Sequence, residues 1–258
     1  MGQNQAANVA RPERPILPLA DPPLDREALL LAVARAASAA ALREDDSETQ
    51  RELDGDRFEL RLRFGCTGPA GGAQTERRIW SFDEKQRILR VRVEPDISAT
   101  SPSVEKLAGQ RFEAVEGFWI GRPWLLAAGC PVPELEPEQA GQDRGQKPVI
   151  EGNSGTVLAP VPRIGIAQFF TNLESRTQRR DDRAYEATKT LATDNAPSSA
   201  GYDLVLSGRL SRLPQRRVIA CASSGIDVPP ACIISATFDR VRVEHPGTHE
   251  IVASWGGG

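Results

Sequence analysis

The feature of this sequence that most constrains its fold is a stretch of alternating apolar and polar residues, RRIWSFDEKQRILRVRVEPDI. Leu89, Val91 and Val93 share one parity and charged residues share the other, which is the period-2 pattern of a strand with one buried face. A polar run of hairpin-loop length separates the two apolar halves of the stretch. The sequence therefore predicts a β-hairpin with strands at 77–82 and 88–94.

Part of this stretch, RVRVE, occurs twice, at 90–94 and at 240–244, and a proline follows shortly after each copy. An internal duplication or chance can explain the repeat, and both explanations stay open at this point. The second copy is expected to belong to a pair of strands at 233–238 and 240–243. In both copies the alternation predicts that the valines are buried, namely Val91, Val93, Val241 and Val243. It predicts that the arginines between them, Arg92 and Arg242, face solvent or a carboxylate.

Other stretches alternate in the same way, at 57–64, 163–170 and 185–191, and several short strand-like runs follow residue 202. Ahead of them, residues 26–43 predict a helix with an apolar stripe formed by Leu30, Val33, Ala34, Ala37 and Ala41. We therefore predict a mainly β (α+β) fold, an antiparallel β-sandwich or curled sheet with an N-terminal helix packed on it.

Composition divides the chain into four regions. Residues 1–22 are rich in proline and lack apolar periodicity, which predicts a disordered leader. A region of helix and β-hairpin follows at 23–130, and the Pro, Glu, Gly and Gln content of 131–162 predicts a long linker or loop. The β-rich region 163–255 is either separate from 23–130 or forms one continuous domain with it.

The four cysteines lack the spacing of a zinc site, and we interpret them as two disulfides. Cys221 and Cys232 flank a loop-like segment between two apolar runs, so their sulfurs can meet across the base of a hairpin. Cys66 and Cys130 then pair by elimination, which is one of three connectivities. Such bonds persist in oxidising compartments, whereas four reduced, buried cysteines would fit a cytosolic protein.

Charge and hydropathy exclude some classes of function. The net charge of −3 argues against a nucleic-acid-binding protein, because such proteins are usually basic. No apolar run reaches the roughly 18 residues that a membrane-spanning helix needs. Residues 28–42 resemble the apolar part of a signal peptide, but Arg35 interrupts them and acidic residues precede them. We assign them to a helix of the folded protein rather than to a cleaved signal peptide. If the protein is exported, its targeting segment is then expected to be absent from this sequence.

Two segments resemble parts of a trypsin-like protease, WLLAAGC at 124–130 and GNSGT at 152–156. Gly129 stands where the catalytic histidine of that family belongs, and too few residues separate the two segments to hold the strands between them. A hydrolase that uses Ser154, or His245 and His249, therefore stays a minor alternative.

The two histidines of the chain lie in EHPGTHE, on either side of a Pro-Gly turn. A hairpin there would place His245 opposite His249, and Glu244 could supply a third ligand for zinc or another divalent metal. A pair of exposed histidines without any metal is the simpler interpretation, and we expect no cofactor.

The segment GFWIGRPW contains two of the four tryptophans. Trp119 and Trp124, together with Arg122, could form a platform that stacks a sugar or another small ligand. The alternative is that these aromatic side chains fill the core where a strand turns.

Four segments, FELRLRFGC, GFWIGRPW, IGIAQFF and ACIISATFDRVRVE, resemble an uncharacterised family of envelope (periplasmic) proteins from alphaproteobacteria. The resemblance covers most of residues 23–255 and implies an exported, disulfide-bonded, β-rich protein in the periplasm or outside the cell. It implies no catalytic residues. The expected function is a non-catalytic role in binding a protein or another component of the envelope or cell surface.

Overall fold

The computed structural model describes residues 21–70, 76–131, 163–171, 180, 183–193, 195–222 and 229–256, with the side chains of 102 and 103 excepted. The predicted leader, apart from its last two residues, and nearly all of the predicted linker lie outside these residues. Within them the chain is mainly β with few helices, as the sequence predicts, and the N-terminal helix is present.

The described residues form three helices and ten strands. The helices are α1 (Arg26–Leu42), α2 (Ser47–Glu52) and α3 (Pro102–Ala108). The strands are β1 (Arg57–Phe64), β2 (Arg78–Asp83), β3 (Ile88–Val93), β4 (Ala114–Trp119), β5 (Arg163–Phe170), β6 (Tyr185–Thr190), β7 (Tyr202–Leu210), β8 (Ile219–Ala222), β9 (Ala231–Glu244) and β10 (Ile251–Gly256).

The long strand β9 joins the two halves of a seven-stranded sheet. Its first half pairs with β5 and β8, and β4 extends the sheet beyond β5. Its second half pairs with β7 and β10, and β1 extends the sheet beyond β7. Strands from 23–130 and strands from 163–255 therefore share one sheet. The other three strands, in the order β2-β3-β6, form a second sheet.

A β-bulge lies at the middle of β9, where the pairing with β7 shifts and Asp239 has no partner residue opposite. Before the bulge the even-numbered residues, such as Phe238, face the main core, and after it the odd-numbered ones do, such as Val241. Gly208 lies across from the bulge, and a Cβ atom there would be 1.9 Å from the carbonyl oxygen of Thr237. The bulge therefore keeps one face of β9 apolar along the whole strand.

The two copies of RVRVE are both central strand segments with antiparallel neighbours on each side. The predicted register is confirmed, because all four valines are buried and both middle arginines pair with carboxylates. The predicted division into two strands at 233–238 and 240–243 is wrong, because the chain forms a bulge at Asp239 and β9 continues through it. The two copies therefore resemble each other only within the strand segment RVRVE, and the structures that precede them differ.

Both faces of the seven-stranded sheet are packed. Helix α1 and the inner face of the three-stranded sheet share the main core with one face, and α3 packs with a second core cluster on the other. The buried side of α1 consists of Arg26, Leu29, Leu30, Val33 and Ala36, so the predicted stripe is shifted and Ala34 is exposed. A glutamine fixes α2, because Gln50 Oε1 accepts hydrogen bonds from the backbone of Val218 and Ile219.

The sheet is mixed rather than purely antiparallel, since β5 runs parallel to β9. Strands that run parallel need a long connection, and the chain between these two contains β6, β7 and β8. Among the described residues, no helix is long and apolar enough to cross a membrane.

The register of β3 predicts a sharp contrast between two neighbouring substitutions. Val93 is fully buried, so Val93→Asp places a carboxylate in the core and should lower the free energy of unfolding by more than about 3 kcal/mol. Arg92 is half exposed, so Arg92→Gln should leave the denaturation midpoint nearly unchanged. Chemical denaturation of both variants measures the difference, and equal effects would contradict the register.

Candidate functional site

Three large apolar side chains are exposed side by side in the loop that follows β4. Trp124 is 56% exposed, Leu125 41% and Leu126 48%. The described residues contain only three other large apolar side chains this exposed, Leu31, Leu42 and Ile251, and these are far apart in sequence. Because burial of such side chains is favourable, a cluster of them on the surface marks a candidate contact site. We call residues 121–130 the Trp124 loop.

The buried guanidinium of Arg26, at the start of α1, holds the backbone of this loop. Arg26 Nε donates to the carbonyl oxygen of Leu125 at 2.9 Å. Its Nη2 donates to the carbonyl oxygens of Gly121 at 2.9 Å and Arg122 at 3.0 Å. Three backbone groups are thus fixed by one side chain that is only 7% exposed.

The partners of Arg26 are unusual for a buried charge. Burial, together with the nearby charge of Arg122, lowers the pKa of Arg26 below its ordinary value. No carboxylate of the described residues forms an ion pair with it. Carbonyl dipoles compensate its charge instead, and removing the guanidinium would leave three carbonyl groups without their donor.

Two further contacts fix the loop. Arg122 has a left-handed backbone with φ of 47°, and its guanidinium donates to the carbonyl oxygen of Gly129. The loop ends at Cys130, which forms a disulfide with Cys66 just beyond β1. The second predicted disulfide, Cys221 to Cys232, joins β8 to β9, so both predicted pairs are confirmed. The Trp124 loop is therefore held at its start, middle and end.

Beside the loop lies a groove of about 590 Å³ over the outer face of the seven-stranded sheet. Its lining includes apolar residues of the loop and polar residues of the sheet, among them Leu126, Glu59, Arg61, Arg63, Asp203 and His249. Leu126, the last of the three exposed apolar side chains, thus lines a polar groove.

Four charged side chains in and beside the groove form a closed ring above Val205, which is fully buried. Arg61 contacts Glu59 at 2.8 Å and Glu244 at 2.7 Å. Arg242 contacts the same two carboxylates, at 2.9 Å and 3.1 Å. Burial lowers the pKa of Arg61, but its hydrogen bonds to Glu244 and Glu59 outweigh that effect and raise the pKa overall. The ring is electrically balanced and leaves no free charge to bind a ligand.

The structure does not bring the three predicted metal ligands together. His249 lines the groove, with its Nδ1 3.9 Å from Glu244, whose carboxylate is already paired with two arginines. His245 lines a different pocket and contacts the ring of Tyr202. Across the described residues, no group of three or more His, Cys, Asp and Glu side chains could hold a metal ion.

The three residues of the predicted ligand platform are also dispersed. Trp119 is partly buried, and the guanidinium that lies over its ring, at 4.4 Å, belongs to Arg163 rather than to Arg122. Arg122 is occupied with the loop backbone, and only Trp124 presents its ring to solvent. Ser154 lies outside the described residues.

Sequence reasoning missed Arg26 and the exposure of Leu125 and Leu126. The three consecutive apolar residues between a Gly-Arg-Pro and an Ala-Ala-Gly segment were a signal, because strand alternation is absent there. Nothing in the sequence pairs Arg26 with residues 121–125, since the contact spans almost 100 positions of the chain, with separations of 95 to 99.

Comparisons with known protein families, with curated proteins and with solved structures give no match to this chain. The functional assignment therefore depends on the geometry of the Trp124 loop and its surroundings.

The contacts of Arg26 predict that its loss loosens the loop. Arg26→Met keeps the apolar part of the side chain but leaves three carbonyl groups without their hydrogen-bond donor. The free energy of unfolding should therefore fall by about 2–4 kcal/mol. Amide hydrogen exchange at 121–126 should accelerate more than exchange in the sheet. Arg35→Met, an exposed position on the same helix, is the matched control. Unchanged exchange in the loop of Arg26→Met would contradict this role.

Proposed function

We propose that this chain is a non-catalytic binding protein of the periplasm or the cell surface, and that it contacts another protein through the Trp124 loop. The observation that carries the proposal is the exposure of Trp124, Leu125 and Leu126 on a backbone that Arg26 and a disulfide hold in place. Side chains that only fill a core would be buried.

A protein surface is the partner that this arrangement fits best. Tryptophan is enriched among the residues that dominate protein-protein binding energy, and such residues lie in apolar patches with a polar rim. The loop supplies the apolar centre, and the groove with Glu59 and Arg61 supplies the rim. A loop that is already fixed loses little conformational entropy on binding, which favours affinity.

The two disulfides support the compartment. Bonds of this kind form and persist in the periplasm and outside the cell, and they are rare in the bacterial cytosol. One bond anchors the Trp124 loop and the other joins two strands of the sheet. The proposed binding surface therefore depends in part on oxidation.

Site-specific photo-crosslinking in living cells tests the partner. A photoreactive phenylalanine analogue at position 124 or 126 should give a discrete crosslinked product with the same protein from both positions. The analogue at Leu42 is the control, because this residue is more exposed than Trp124 but lies at the far end of α1, about 24 Å along the helix from Arg26. The same products from position 42, or no discrete product from the loop, would contradict the proposal.

Thiol trapping tests the compartment. Cells quenched with acid and treated with an alkylating reagent should yield protein in which none of the cysteines is modified, because both bonds are formed. Prior reduction should expose all four. Alkylation of four thiols without reduction would show a reducing compartment and overturn the periplasmic part of the proposal.

A further inference from the structure

A pocket of about 640 Å³ lies over the outer face of the three-stranded sheet and shares no lining residue with the groove beside the Trp124 loop. Its volume is in the range of pockets that bind small molecules. Its lining includes six residues that face outward from the three strands: Ile79, Ser81, Arg90, Arg92, Glu186 and Thr188.

The two arginines of this pocket differ in their partners. Arg92 is paired with two carboxylates, because its guanidinium contacts Glu94, one residue beyond β3, and Glu186 on β6, the latter at 3.0 Å. Arg90 is exposed, and no described residue forms a hydrogen bond or ion pair with its side chain. Arg90, Arg92, Glu94 and Glu186 together are neutral, and the positive charge of Arg90 is the one that no described carboxylate pairs.

Two hydroxyl groups flank that charge. Ser81 on β2 and Thr188 on β6 are the cross-strand partners of Arg90, one on each side of β3. Their side chains face the same side of the sheet as the guanidinium, because residues in register share a face. Hydroxyl groups and a guanidinium are the donors that bind carboxylate and phosphate oxygens.

We propose that this pocket binds a small organic anion, and that Arg90 contacts its carboxylate or phosphate group. The hydroxyl groups of Ser81 and Thr188 donate to the same oxygens, and Ile79 offers an apolar contact to the body of the ligand. This site is separate from the Trp124 loop and does not depend on the function proposed for that loop.

The repeated segment RVRVE supplies a matched control. Arg240 holds the place of Arg90 in the second copy, and it too is exposed on a central strand with no side-chain partner among the described residues. Its cross-strand neighbours are Ser207 and Gly256, so it has one flanking hydroxyl group instead of two. Arg90→Gln and Arg240→Gln therefore remove the same charge from two different settings.

Isothermal titration and amide chemical-shift mapping test the site with glucuronate, glucose 6-phosphate and neutral glucose. At least one anion should bind the wild type more tightly than glucose does, with shifts centred on residues 79–81, 90–92 and 186–188. A preference for glucuronate or for glucose 6-phosphate distinguishes a carboxylate ligand from a phosphate ligand. Arg90→Gln should weaken binding about tenfold or more, and Arg240→Gln by no more than about twofold.

The double variant Ser81→Ala/Thr188→Val keeps the guanidinium and should weaken binding severalfold, and it tests the pocket even if Arg90→Gln folds poorly. Lack of saturation by both anions at about 10 mM would overturn the proposal. So would equal binding of glucose, because the charge would then contribute nothing. Equal losses in Arg90→Gln and Arg240→Gln would also overturn it, since they would show general electrostatic attraction.

Discussion

The unpaired residue Asp239 in β9 is the constraint on which both halves of the seven-stranded sheet depend. Side chains alternate along a strand, so an uninterrupted β9 would turn Val241 and Val243 outward and the arginines beside them inward. The bulge shifts the alternation by one residue at the point where β9 changes partners. As a result, a single strand contributes to one continuous core along its full length. Gly208 makes this arrangement sterically feasible on the neighbouring strand.

Buried and half-buried arginines in this protein are compensated in two ways that have different consequences. Arg61 and Arg242 are balanced by carboxylates, and this arrangement fixes side chains on the face of a sheet. Arg26 is compensated by carbonyl groups, and this arrangement fixes the backbone of a distant loop. Because carbonyls are available in any sequence, the second arrangement leaves residues 124–126 free to present apolar side chains to a partner.

Local sequence patterns were sufficient to predict most of the strands and both disulfides. The alternation in 57–64 predicts β1 with the bounds that the structure has, and the hairpin of β2 and β3 is within one residue of its prediction. The pair Cys221 and Cys232 follows from the loop-like sequence, with Gly and Pro residues, that separates them. The parallel pairing of β5 with β9 was not predictable, because it depends on contacts between residues about 70 positions apart, as between Gln168 and Phe238.

The candidate site was harder to predict for the same reason. A tryptophan that follows Gly-Arg-Pro is compatible with a core or a surface position, and only the contacts of α1 with the loop decide between them. The bulge shows a related limit. In the sequence, the bulge at Asp239 cannot be told from a hairpin turn, because the alternation is also interrupted at an aspartate, Asp83, in the hairpin of β2 and β3.

The position of β9 in the chain also affects when the fold can form. Its partners β5, β7 and β8 are synthesised before it, and the large sheet lacks its complete central strand until residue 244 has been made. Sheets that depend on such distant pairings form slowly, because the ends of long loops must meet first. A nascent chain of this design stays without its complete main sheet until β9 has been made. That delay is compatible with the proposed location in the periplasm or at the cell surface, since a polypeptide threaded unfolded through a narrow translocation channel folds only after it emerges.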